Sequence, residues 1–296
     1  MLSFKTPEIE DRKWVQPLLD QSQYTSDEYT FSNMFMWWEG YGIQFTEYEG
    51  MFLARSVEGE TVNYMFPAGA VDVGVWYAAC KADADALGKQ LTIGGAGPKQ
   101  AALLTGHFGD RVRLEYNRDF YDYVYLQEKL ATLSGKKYHS KRNHISYFEQ
   151  NYNWRFEIID EDNMADCLAM NEEWCRQNGC TQSESLQIEY CAVKKAFAHW
   201  DKLGLFGGLI RVDDRVVAYS FGHALNDTMV DVHVEKAFSD YRGAYPIINR
   251  EFARNLCGGY TYINREEDLG EEGLRKAKLS YHPECMVEKF IARVAD

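Results

Sequence analysis

Hydrophobic positions along this chain change their period repeatedly, and the changes outline its elements. Helical spacing runs through residues 11–19 and the aromatic cluster at 31–38. Strand-like runs follow at 41–45, 51–55 and 61–66. Residues 71–87 read as a helix, 91–93 as a strand ending in Gly94–Gly95–Ala96–Gly97–Pro98, and 100–107 as a helix. Strands follow at 112–116 and 121–126. Leu126, Leu130 and Leu133 stand at i, i+4, i+7 and begin a helix that Gly135 interrupts; Ile145 and Phe148 carry the next. Beyond a strand at 154–159 come a helix through Met164, Leu168 and Trp174 and a helix with Tyr190, Val193, Phe197 and Trp200 on one face. Three strands at 205–212, 216–224 and 228–234 are joined by the turn signals Asp213–Asp214 and Asn226–Asp227. A helix at 246–256, a short strand at 260–263, one more helix and a final strand at 286–294 complete the chain.

The last of those helices belongs to the most informative segment. It begins Asn264, Arg265, Glu266, Glu267, Asp268, Leu269, Gly270 and runs through Arg275, Lys276 and Lys278 to Tyr281 and Pro283. Asp268 with Glu271 three residues on predicts a capping box. Glu271 and Glu272 suit the positive end of a helix, and Arg275, Lys276 and Lys278 suit its negative end. Asn264, Arg265, Glu266, Lys278 and Tyr281 exceed what capping needs, and strand ends rich in polar side chains are where α/β folds place chemistry. The bland reading is a buried polar network that locks strand to helix; for the set, a site is preferred.

Composition narrows the setting. With 296 residues, 46% of them hydrophobic, and 20 tyrosines against 6 prolines, the chain can bury a large core in two domains. A net charge of −13 repels DNA and free nucleic acid, so any RNA contact must rest on a local patch. No stretch approaches the about eighteen apolar residues of a membrane helix, and the N-terminus lacks a secretory h-region. The 7 cysteines show no C-x-x-C spacing, predicting reduced, buried thiols in a cytoplasmic protein and no metal site.

The run Asn-Arg-Glu-x-Asp-x-Gly followed by Leu-Arg-x-x-Lys-x-Ser-Tyr-x-Pro resembles the family built on the C-terminal domain of phosphatidylglycerol lysyltransferase, which includes soluble bacterial proteins of unknown function. Val232–Ala237 and Lys141–Arg142–Asn143 extend the likeness. The resemblance implies an α/β (α+β) fold of two fused GNAT-like acyltransferase domains, each a mixed, mostly antiparallel sheet flanked by helices. The element order from residue 154 onward agrees with one such domain. The expected domains are 1–128, a degenerate GNAT-like half, and 129–296, which carries the active cleft.

Three further constellations bear on that expectation. Asp231, His233 and Glu235 alternate with valines and share one strand face, from which His233 and Glu235 can supply a base for acyl transfer; a half-exposed antiparallel strand explains each residue singly as well. Arg242 and Gly243 stand where a GNAT protein binds the pyrophosphate of coenzyme A, yet Tyr245 and Ile247 occupy the later small positions and Pro246 removes an N–H. Residues 136–144, among them Lys137, Lys141, Arg142 and Asn143, contain no acid and can hold phosphates, against the alternative of a solvated basic helix face.

The resulting expectation is an acyltransferase that moves an aminoacyl group from charged tRNA to an amine or hydroxyl acceptor, a small molecule or a lipid head group. Glu266 is assigned as base or amine anchor, Lys278 or Arg265 as oxyanion partner, Tyr281 as acid, and His233 and Asn264 as further site residues. Lys137, Lys141, Arg142, Asn143, Arg242, Gly243 and Arg265 are assigned to donor or phosphate binding. The alternatives are an acetyl-CoA-dependent N-acetyltransferase and a non-catalytic ligand-binding module.

Overall fold

The computed structural model describes residues 2–295. In chain order it begins with α1 (Arg12–Ser22), α2 (Phe31–Tyr41), β1 (Gln44–Tyr48), β2 (Met51–Glu58), β3 (Thr61–Met65), β4 (Ala68–Gly69), α3 (Val73–Leu87), β5 (Gln90–Ala96), α4 (Pro98–Phe108) and β6 (Val112–Tyr116). It continues through β7 (Asp122–Leu126), α5 (Gln127–Thr132), α6 (His139–Asn151), β8 (Trp154–Ile158), α7 (Met164–Asn178), α8 (Glu184–Ala198), α9 (Trp200–Leu203), β9 (Phe206–Val212), β10 (Arg215–Asn226) and β11 (Met229–Ala237). It ends with α10 (Ala244–Leu256), β12 (Tyr262–Asn264), α11 (Glu272–Leu279), β13 (Cys285–Val287) and β14 (Phe290–Val294). Polar side chains fix several helix starts: Thr30, Asp72 and Ser183 accept the N–H of Asn33, Val75 and Leu186.

Two compact units result. The first runs to Asp122 and takes back Glu267–Gly270 and the stretch from Val287. Its sheet has the order β1-β2-β3-β5-β14-β6, with β4 on β2. Its core gathers Leu53, Tyr64, Phe66, Trp76, Ile93 and Leu104, all essentially inaccessible. Each such side chain contributes roughly 1.5–3 kcal/mol through burial.

The second unit comprises Tyr123–Glu266 and Glu271–Met286. Its sheet has the order β13-β7-β12-β11-β10-β9-β8. β11 and β12 run parallel, whereas β8–β9, β9–β10, β10–β11 and β12–β7 are antiparallel. The alternation of side chains sorts the two faces. Tyr219 reaches α7 through Asn171 Oδ1 at 2.9 Å, and Phe221 packs against Phe197 and Trp200. On the opposite face Phe206 stacks on Phe252 of α10, and Glu235 meets Asn249 of the same helix. The expected α/β architecture of two mixed sheets flanked by helices is what the chain forms.

Four local expectations change. The expected final strand, 286–294, is two strands in different sheets, β13 and β14, separated by Glu288 and Lys289. The break lets the Lys289 ammonium bury itself against Asp27, Glu28, Asp122 and Glu267 within the first unit. β14 then pairs with β5 and β6 of that unit, so the end of the expected 129–296 half lies in the first sheet. Asp268 caps no helix: fully buried, it accepts the Gly270 N–H at 3.0 Å and pairs with Arg118, while α11 starts after Glu271 without a side-chain cap. The thiols are neither all reduced nor all buried. Cys175 and Cys180 form a disulfide, because the turn after α7 brings their Cα atoms to 5.2 Å, and Cys191 and Cys285 are exposed.

Candidate functional site

The polar residues of interest in the second unit converge where β11 and β12 end beside α6, α10 and α11. Asn264 is fully buried, and its side-chain oxygen accepts the Glu266 N–H at 2.7 Å. That turn holds Glu266 at φ 56°, the left-handed region that side chains other than glycine enter only at a cost. The flanking backbone is sewn to β7: Arg265 N–H donates to Tyr123 O at 3.0 Å and Tyr123 N–H to Glu266 O at 3.2 Å.

Two clusters follow from this placement. In the first, His233 Nδ1 lies 3.1 Å from Glu266 Oε1 and 3.3 Å from Asp231 Oδ2. Burial pushes the imidazole down to about 3, while the two carboxylates beside Nδ1 favour its charged form. In the second, Glu235 holds Arg265 Nη2 at 2.9 Å with one oxygen and Asn249 Nδ2 at 2.8 Å with the other. The Arg265 guanidinium lies 4.9 Å from the Tyr281 ring centre, and the Lys141 ammonium lies 3.8 Å from the same ring. Burial, then the Arg265 charge, lowers Lys141 to about 8. Burial, with Glu235 next, drives Tyr281 well above the usual tyrosine range, so it remains a proton donor.

Around Glu235 the hydrogen bonding is incomplete. Arg265 Nη1 and Asn249 Oδ1 are buried without a partner, as is Ser220 Oγ on β10, directly across the ladder from Glu235. Buried polar atoms are nearly always satisfied in folded proteins. This set also carries two cationic donors against one carboxylate. It suits an oxygen that gains negative charge, with acceptors beside it for an N–H or O–H.

The other expected residues divide. Lys278 is buried and structural: its ammonium donates to Arg265 O, and Tyr125 O–H donates to the Lys278 carbonyl at 2.8 Å, so it fastens α11 to the strand end. Arg142 donates to Leu133 O and Gly135 O and lines a cavity of about 120 Å³ with Arg250, Arg254 and Glu149. Asn143 is exposed on His139, and Lys137 stands 5.3 Å from the Tyr138 ring, its carbonyl 3.2 Å from His282 Nε2. Arg242 stacks 4.4 Å over Tyr147. Gly243 has φ +95°, and a Cβ there would meet His144 O at 2.4 Å; close packing on α6 accounts for this glycine without any coenzyme. Sequence reading did not single out Ser220, Asn249 or Tyr125, which carry no local motif. Glu235, expected with His233 as a candidate base, is the residue that joins Arg265 and Asn249.

Among the described residues no helix is long and apolar enough to cross a membrane. Residues 20–293 match the family model of the phosphatidylglycerol lysyltransferase C-terminal region. A conserved protein of unknown function from Bacteroides thetaiotaomicron is 37% identical, with a TM-score of 0.94 and full coverage of both chains. The C-terminal domain of a putative lysylphosphatidylglycerol synthetase from Agrobacterium fabrum shares the fold at 14% identity and a TM-score of 0.69, over 96% of this chain and 91% of that one. An uncharacterized protein of Mycoplasmoides gallisepticum is 23% identical over 195 residues, so the match spans 62% of that relative's length and 62% of this chain.

Proposed function

This chain belongs to the phosphatidylglycerol lysyltransferase C-terminal family; from that premise we propose that it is an acyltransferase whose donor is an aminoacylated tRNA and whose acceptor is an amine or hydroxyl. The observation that carries the reading is the set of unsatisfied buried groups around Glu235, with the Lys141 ammonium poised over Tyr281. A purely structural network would close its hydrogen bonds; this one leaves donors and acceptors for a guest.

In the proposed reaction the acceptor's nitrogen or oxygen attacks the ester carbonyl of the aminoacyl group. A new C–N or C–O bond forms, and the carbonyl oxygen takes the negative charge. Arg265 and Lys141 stabilise that oxygen, a contribution of the kind worth about 10²–10³ in rate. Glu235 takes the acceptor's proton as the bond forms. The ester bond to the terminal ribose then breaks, and Tyr281 donates a proton to the departing ribose oxygen, regaining one through Glu235. Arg142, with Lys137 on the segment leading into α6, provides positive charge for RNA phosphates.

The acetyl-CoA alternative is weakened by the packing of Gly243 on His144, which gives that glycine a reason unrelated to pyrophosphate. Filter retention of the protein with aminoacylated and deacylated tRNA, at low and moderate salt, tests the donor. Preferential retention of the aminoacylated pool is expected. Equal retention of both pools, or none, contradicts it.

A further inference from the structure

We propose that Asp231, His233 and Glu266 form a binding site for one divalent transition-metal ion of the zinc or manganese type. The three residues reach one point from different parts of the second unit. Asp231 and His233 both come from β11, where His233 is the extra residue of a bulge between Val232 and Val234, and Glu266 comes from the turn after β12. Their ligand atoms all lie within 4.8 Å of one another. Asp231 is fully buried, the His233 side chain is inaccessible, and the Glu266 side chain is 17% exposed. The site is therefore enclosed, with one ligand reaching it from the more open side.

The geometry suits coordination. Ligand atoms of a tetrahedral ion bound at 2.0–2.1 Å are separated by about 3.3 Å; Nδ1 of His233 lies 3.1 Å from one carboxylate and 3.3 Å from the other. A single Nδ1 proton can serve one of those oxygens well. A cation seated between the three atoms serves all of them. One imidazole with two carboxylates favours a first-row divalent ion over magnesium, which prefers oxygen ligands and water. The surroundings are polar: Asp231 pairs across the ladder with His223 on one side and with Asn264 on the other. The Asn264 side chain holds the Glu266 backbone and so orients the third ligand. No zinc spacing is legible in the chain because the ligands are a strand i, i+2 pair and a distant loop residue.

The Lys289 cluster of the first unit provides an internal contrast. Asp27, Asp122 and Glu267 also bring ligand atoms together, but the Lys289 ammonium sits within 3.5 Å of each of them. That group already has its cation.

Elemental analysis of the protein after gel filtration, with zinc and manganese titrations of chelator-treated protein by calorimetry, tests the site. A Cys191→Ser/Cys285→Ser background removes the two exposed thiols as competing ligands. The expected result is saturable binding of about one ion per chain, weakened at least ~10-fold in Glu266→Gln and abolished in His233→Gln. Circular dichroism verifies folding of both variants, and Glu266→Gln, at the more open ligand, keeps the test informative if His233→Gln fails to fold. No saturable binding by the chelated protein, or unchanged affinity in Glu266→Gln, overturns the proposal.

Discussion

At the scale of single residues, Lys141 carries the most specific consequence. Its ammonium lies over Tyr281 beside the Arg265 charge, and burial lowers its proton affinity to about 8. If that ammonium stabilises the developing oxyanion, transfer must fall as pH rises through about 8, because the neutral amine loses the charge. A base would give the opposite limb. Lys141→Arg, charged throughout, should abolish this fall between pH 7 and 9, and Lys141→Ala should lose about 10²-fold or more at pH 7. A pH–rate profile of the three proteins checks this; a rate that rises through pH 8 in the unmodified chain contradicts the assignment. Residue identity alone did not separate Lys141 from Lys278. Both are lysines of a polar segment, but one is stitched to a backbone carbonyl and the other faces a ring without a hydrogen-bond acceptor. That difference depends on tertiary placement.

Among elements, helices and hairpins were the most legible features. The apolar periods and the turn pairs Asp213–Asp214 and Asn226–Asp227 act locally, so their neighbours in sequence decide them, whereas the expected cap Asp268 closes a turn instead. The split between β13 and β14 was not legible, because its cause is a charge cluster assembled from residues remote in sequence. Lys289 sits among Asp27, Glu28, Asp122 and Glu267, and burial raises the Asp122 carboxyl to about 6. The protonated form of Asp122 is thus favoured by the fold. Its stabilising contribution is complete below the unfolded value near 4 and is lost as pH rises through about 6. Lys289→Met removes the compensating cation and should destabilise the first unit by about 3–5 kcal/mol at pH 7.5. At pH 5 the loss should shrink, since carboxylates there can take up protons. Urea unfolding at both pH values measures it, and an equal loss at both would contradict this account of the cluster.

Over the whole molecule, the resemblance in the segment from Asn264 to Pro283 indicated the family and the α/β character, and the two mixed sheets agree with it. The same segment divides between units: Asn264 to Glu266 and the residues from Glu271 to Pro283 belong to the second, Glu267 to Gly270 to the first. Its polar residues therefore serve three ends. Glu267 joins the Lys289 cluster, Asp268 closes a turn with Arg118, and Arg265 and Tyr281 face Glu235 and Lys141. Motif spacing showed that these residues matter but not how they divide. The other residues around Glu235, Ser220 and Asn249, lie on a strand and a helix with no motif of their own.

The most direct measurement of the central claim is single-turnover release of a radiolabelled amino acid from mixed aminoacyl-tRNA to a panel of amine and hydroxyl acceptors. The unmodified protein and the Lys141→Ala variant would be compared at pH 7. Label appearing in an acceptor, with the rate reduced about 10²-fold in the variant, is the predicted result. No transfer by the unmodified protein to any acceptor, or equal transfer by both proteins, would contradict the account.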